Sequence, residues 1–296
     1  ANPNLKWETT SQFDIGFDLS VLDGMEVTFD YYNKHTSDLL AYVPLPRTTG
    51  YSSVLRNVGE IKNEGLEFSV DANIRRKGFN WDATLQISHN KNTITKLAGG
   101  SDILSNSLSH PFNASPNIAR EGEPLGAFYG YVEKDRLTED GFVQMVDQND
   151  DGEINAMDRL ILGDPHPDII YSLNNNFSYK NFNLSIFLEG VQGREVFWHL
   201  GGIHLGSFQR GHNQFVDIFG NYWTEEDPDP HAKYPKISSK TYAQISDRWV
   251  KDASYLRIAD VKLAYNFSVS DVSWLDRAQV FISVDNLHVF TNYPGL

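Results

Sequence analysis

Cysteine is absent from the 296 residues. The chain therefore has no disulfide framework, no Cys-ligated zinc and no thiol nucleophile. Long apolar runs are missing as well. No stretch approaches the roughly 18 consecutive apolar residues of a transmembrane helix, and the mean hydropathy is −0.41. A helical membrane protein is excluded. A β-barrel is not, because its strands alternate apolar and polar residues and average out as hydrophilic. Basic charge is scarce. The net charge is −14, and the single basic triplet, Arg75-Arg76-Lys77, adjoins Gly78 in a turn-like setting. Nucleic-acid binders present a basic face, so no nucleic-acid partner is expected.

Catalytic patterns are lacking too. There is no Gly-x-Ser-x-Gly elbow and no phosphate-binding Walker loop. The acidic pair Glu225-Glu226 has nothing in the sequence to position it. The chain is expected not to be an enzyme. The first residues, Ala1 to Trp7, show neither a charged n-region nor an apolar h-region, so no signal peptide is expected there.

Aromatics are plentiful, with 18 Phe, 14 Tyr and 6 Trp. Barrels use them as girdles at both membrane interfaces. Period-2 alternation, the signature of a strand with two unlike faces, dominates the chain. Phe13, Ile15, Phe17 and Leu19 alternate with Asp14, Gly16, Asp18 and Ser20. After Asp23-Gly24, a strong hairpin signal, Met25, Val27, Phe29 and Tyr31 continue the pattern. Eight strands are predicted, near 10–20, 25–34, 61–75, 79–90, 170–179, 182–190, 254–267 and 278–290. Short turns at 21–24, 76–78, 180–181 and 268–277 alternate with long segments at 35–60, 91–169 and 191–253. Outer-membrane barrels show this rhythm, with short periplasmic turns and long extracellular loops. The predicted fold is all-β: an antiparallel transmembrane β-barrel portion of about eight strands. A soluble, calcium-stabilised β-sandwich binding module is the alternative, and a barrel hydrolase is a third.

Short motifs in a fixed order carry a resemblance. They begin with Asn2-Pro-Asn-Leu-Lys-Trp-Glu-Thr-Thr10 and Asp30-Tyr-Tyr-Asn-Lys34, followed by Thr36-Ser-Asp-Leu-Leu40. Pro44-Leu-Pro46, Thr49-Gly-Tyr51, Asn57-Val-Gly-Glu-Ile61 and Asn63-Glu-Gly65 come next. Then follow Pro124-Leu-Gly126, Phe128-Tyr-Gly-Tyr131, Asp158-Arg159, Gly163-Asp-Pro165, Ser254-Tyr-Leu-Arg257, Asp285-Asn-Leu287 and Phe290-Thr-Asn292. In this order they resemble the C-terminal part of the SusC/RagA-like TonB-dependent transporters of Bacteroidetes. The resemblance covers nearly all of 1–296. It implies a place in the outer membrane and contact with outer-membrane lipid. It implies import of oligosaccharides or peptides with a SusD-like surface lipoprotein as lid, and a possible dimer of transporter–lipoprotein pairs. It also implies a 22-stranded, plugged barrel. Counting strand directions on that barrel makes the eight strands numbers 14 to 21, with the plug and TonB box outside this chain.

Two sets of candidate site residues stand out. Within 141–163, the run from Asp147 to Asp158 fits a calcium-loop template with Asp in place of the final Glu. Ca²⁺ takes six to eight oxygens, and glycine at the sixth position permits the sharp turn. Asp147, Asn149 and Asp151 supply side-chain oxygens, Glu153 its carbonyl, and Asn155 and Asp158 close the loop. Ca²⁺ is expected as a structural ion; the other reading is an acidic surface turn with no ion. The second set is Trp198, His199, Phe208, Tyr222 and Trp223 in the last long loop. Aromatic rings there suit stacking on a substrate, or packing of the loop itself. His199, His204 and His212 fit no standard metal spacing.

Overall fold

The computed structural model describes residues 3–44, 47–51, 53–105, 107–205, 213–237, 244–268 and 277–295. In chain order the strands are β1 (Thr9–Leu22), β2 (Met25–Pro44), β3 (Ser53–Arg76), β4 (Phe79–Leu97), β5 (Ile103–Leu104), β6 (Asn117–Ala119) and β7 (Ala127–Gly130). They continue as β8 (Leu160–Gly163), β9 (Ile169–Tyr179), β10 (Phe182–Gln192), β11 (Glu195–Phe197), β12 (Val250–Asp252), β13 (Tyr255–Ser268) and β14 (Arg277–Thr291). One α-helix, α1 (His199–Leu205), follows β11.

The chain forms two compact units. The first, 1–95 with 166–194 and 253–292, is an eight-stranded sheet in the order β1-β2-β3-β4-β9-β10-β13-β14. It is open, with β1 and β14 at its edges. All eight predicted strands are present. The turns are tight where the residues allow it. Leu22 pairs with Met25 across Asp23-Gly24, and Gly24 has φ 77°, a conformation that glycine adopts without a Cβ penalty. Tyr179 pairs with Phe182 across Lys180-Asn181. Residues 269–276, most of the expected turn at 268–277, lie outside the described residues.

Residues 35–60 depart from the expected long loop: β2 and β3 run on through most of this segment. The ladder slips between Thr36 and Leu39 and again before Leu40. A bulge shifts side chains to the opposite face, which breaks the alternation that marks the strand in sequence. Asp38 takes φ 56°, and its carbonyl accepts from Asn57 Nδ2 at 2.7 Å.

The second unit, 96–165 with 195–252 and 293–296, is made from the other two long connections. It holds a four-stranded sheet, β5-β6-β7-β8, and the β11-β12 pair. Its core gathers Phe112, Trp198, Leu205, Ile218, Tyr234, Ile245 and Trp249. Phe112 meets Phe197 and Trp249 edge-on, with centroids 5.0 and 5.8 Å apart. Distant segments are tied by backbone bonds, Tyr131 N to Ile245 O at 2.9 Å and Asp247 N to Tyr131 O at 3.0 Å. Glu133 secures the same junction by accepting from Ser246 Oγ (2.6 Å) and Arg248 Nε (2.7 Å).

Candidate functional site

The register sorts the eight-stranded sheet into two unlike faces. On one, rows such as Leu19–Val27–Val70 and Phe17–Phe29–Phe68 run across the strands. Trp81–Phe177–Leu184–Leu263–Ile282 does the same at the other edge. Over residues 13–21, 25–33, 66–74, 79–89, 169–179, 182–190, 256–267 and 278–290, this face carries no Asp, Glu, Lys or Arg. Its large side chains are bared, with Ile282 67% exposed and Phe13 59%. Near the short turns, aromatic rings gather. Trp81 stacks on Phe177 at 6.0 Å, and Tyr265 meets Phe182 and Phe267 at 4.7 Å each. Asn175, polar on this face, accepts from Trp81 Nε1 at 3.1 Å. An uncharged, bared apolar band with an aromatic girdle suits hydrocarbon rather than water.

The opposite face is polar. In the same segments it carries Asp14, Asp18, Glu26, Asp30, Glu67, Asp71, Asp82, Glu189, Asp260 and Asp285. The basic groups there are Arg257 and Lys262, and just beyond these segments the same face adds Lys34, Arg75 and Arg277. Arg75 pairs with Asp82 at 2.5 Å, and Arg257 with Glu189. A hollow of ≈ 610 Å³ lies on the sheet, lined among others by Asp30, Glu67, Ser69, Ser172 and Glu189.

The 147–158 loop belongs to the second unit and is closed by its own hydrogen bonds. Gly152, at φ 85°, donates its N–H to Asp147 Oδ2 at 2.7 Å. Asn149 Oδ1 accepts from Asp151 N (3.2 Å), and Asp151 Oδ1 from Glu153 N (2.8 Å). Asp158 is fully buried and accepts from Gln148 N (2.8 Å) and Asn155 N (2.7 Å). Asn155 and Asp158 thus form a capping box for the turn at Ala156–Asp158. The N–H of Asn155, then that of Gln148, hold the Asp158 carboxyl below its ordinary range. Asp147 Oδ1 is buried without a donor, and Asp147 reaches the Asp158 carboxyl. Among the described residues no three acidic or histidine side chains converge as a ligand group. Asn149, Asp151 and the Glu153 carbonyl would have to complete the site. Downstream, Arg159 sits over the rings of Tyr131 (4.9 Å) and Tyr129 (6.0 Å).

The candidate aromatics separate. Trp198 and Trp223 are buried in the second unit. Trp198 stacks on Phe215 at 5.8 Å, and the Trp223 ring fills the space beside Gly141. Tyr222 and His199 are half-buried, Tyr222 packed against the core and His199 5.6 Å from the Phe112 ring. Phe208 and His212 lie outside the described residues. These positions match loop packing. Composition alone could not separate a packed ring from a stacking platform. Phe219, 75% exposed, is a bared aromatic of this loop.

An open sheet with an apolar band free of Asp, Glu, Lys and Arg on one face, a charged polar face opposite and short turns at one end defines a membrane-spanning β-barrel wall. The model of the TonB dependent receptor-like β-barrel family matches residues 1–287, and the chain belongs to that family. The family is one of outer-membrane transporters, not enzymes. The chain is 35% identical over its whole length to TonB-dependent receptor P3 of Formosa agariphila. It is 29% identical to TonB-dependent receptor SusC of Bacteroides thetaiotaomicron, again over 100% of the chain. It covers 31% and 30% of those two proteins, so it spans about a third of their length. A solved RagAB peptide transporter structure superposes with a TM-score of 0.86 over 99% of this chain and 33% of that one, at 24% identity.

Proposed function

We propose that this chain forms part of the barrel wall of a TonB-powered importer of oligosaccharides or peptides, working with a surface lipoprotein. The observation that carries this reading is the charge asymmetry of the sheet over the segments above, no Asp, Glu, Lys or Arg on one face against ten carboxylates on the other. A soluble sandwich would bury that apolar face against a second sheet; here it is bared. The plug and the TonB contact belong to the rest of the full-length protein. The test is growth and uptake in the native host on single oligosaccharides and peptides, with the full-length gene deleted and restored. One cargo should stop entering on deletion and return on restoration. A full-length protein that leaves the membrane in detergent-free buffer would falsify the reading.

We further propose that the 147–158 loop holds one structural calcium ion. Asp147, Asn149, Asp151 and the Glu153 carbonyl would hold it, with Asn155 and Asp158 closing the loop. The buried Asp147 Oδ1 without a donor supports this reading, since a buried carboxylate oxygen is costly unless something positive meets it. Calcium would supply that charge. Asp147→Ala and Asp151→Ala in the full-length protein are each expected to remove one bound calcium per chain, read by elemental analysis after desalting. Unchanged metal content in both variants sinks the proposal.

A further inference from the structure

We propose that the polar face of the eight-stranded sheet is a cation-attracting wall that favours positively charged solutes over anionic ones. This rests on reading that face as the lumen side. Its carboxylates outnumber its basic groups, Lys34 among them, ten to five. The Arg75–Asp82 and Arg257–Glu189 pairs remove two from each side. Asp18, Asp30, Glu67, Asp71, Asp260 and Asp285 are among those that remain, spread over β1, β2, β3, β13 and β14. Two of them are held by neutral groups, Asp18 by Thr28 Oγ1 at 2.7 Å and Asp71 by Thr84 Oγ1 at 2.5 Å. A hydroxyl orients a carboxylate without cancelling its charge.

The geometry amplifies the effect. Behind those segments the reverse of the sheet carries no Asp, Glu, Lys or Arg; on the same reading it faces hydrocarbon, so a low-dielectric layer backs the acidic wall. Field lines are then focused into the water on the other side. Clefts lined by one sign of charge raise local counter-ion concentrations by about 10- to 1,000-fold. The ≈ 610 Å³ hollow beside Asp30, Glu67 and Glu189 is where a passing solute meets that field. The fitting partner carries ammonium or guanidinium groups; a sulfated or uronate chain is repelled.

The test uses the full-length protein in liposomes, with a nitroxide attached at Ser172→Cys on the polar face and, separately, at Ser107→Cys in the second unit. Two relaxation reagents are compared, the cationic tris(ethylenediamine)nickel complex and the anionic chromium oxalate complex. At low salt the cation-to-anion collision ratio should be about tenfold higher at Ser172 than at Ser107. It should collapse in about 1 M salt, where the screening length is about 3 Å, and fall in an Asp18→Asn/Asp71→Asn variant. The salt arm needs no mutation of the wall. Equal ratios at the two labels overturn the inference and assign the acids to a basic surface elsewhere in the protein. Neither reagent reaching Ser172 overturns the lumen reading and the inference together.

Discussion

Trp249→Ala is expected to unfold the second unit while the eight-stranded sheet keeps its ladder. Trp249 is 1% exposed and lies in the cluster with Phe112, Ile245 and Trp198. Its carbonyl also accepts the Trp198 N–H at 2.6 Å. Emptying a buried indole site costs about 3–5 kcal/mol. Domains are stable by only about 5–15 kcal/mol, so this loss takes a large part of the margin. Hydrogen exchange on the full-length protein checks the outcome. Amides in 96–165 and 195–252 should lose protection, while those of β9 and β10 keep theirs. Phe219→Ala, in the same loop but at a 75% exposed position, is the control and should shift stability by less than about 0.5 kcal/mol. Unchanged exchange in the Trp249 variant would show that the core does not depend on this ring.

Leu173→Arg and Asn174→Arg are neighbours in sequence, and their expected effects are opposite. Leu173 lies in the apolar row with Leu85 and Leu188. It lies six positions before Tyr179 at the short turn, which at about 3.3 Å per residue and the usual tilt sets it near mid-bilayer. Arginine on the lipid face at that depth costs about 2–4 kcal/mol. Asn174 lies on the polar face opposite Thr84, where a charge stays hydrated and acidic neighbours welcome it. Outer-membrane abundance and the urea midpoint of the full-length protein should fall for Leu173→Arg and hold for Asn174→Arg. Equal loss in both would undermine the assignment of faces.

Much of this was legible in the residues. Alternation located all eight strands, and Asp23-Gly24 announced its hairpin. Charge also followed parity, since Phe17 and Leu19 are apolar where Asp18 between them is not. The extension of β2 and β3 through 35–60 was hidden. A bulge at Asp38 flips the parity, and alternation cannot be followed through a change of phase. The 147–158 motif was legible as a loop. The capping role of Asn155 and Asp158 was not, because the same carboxylate can serve an ion or a backbone N–H, and only position decides between them.

The chain alone determined that there are strands, that each has an oily and a polar side, and that long connections alternate with short turns. These follow from local physics: the period of two, the turn chemistry of glycine, and the charge carried by each residue. Only the tertiary structure decided which residues share a row. It set Arg257 beside Glu189 and Arg75 beside Asp82, and it left the other acids of that face in excess. It also turned Trp198 and Trp223 from candidate stacking platforms into core. The physical reason is that register and burial depend on contacts far apart in the chain, which no local pattern encodes.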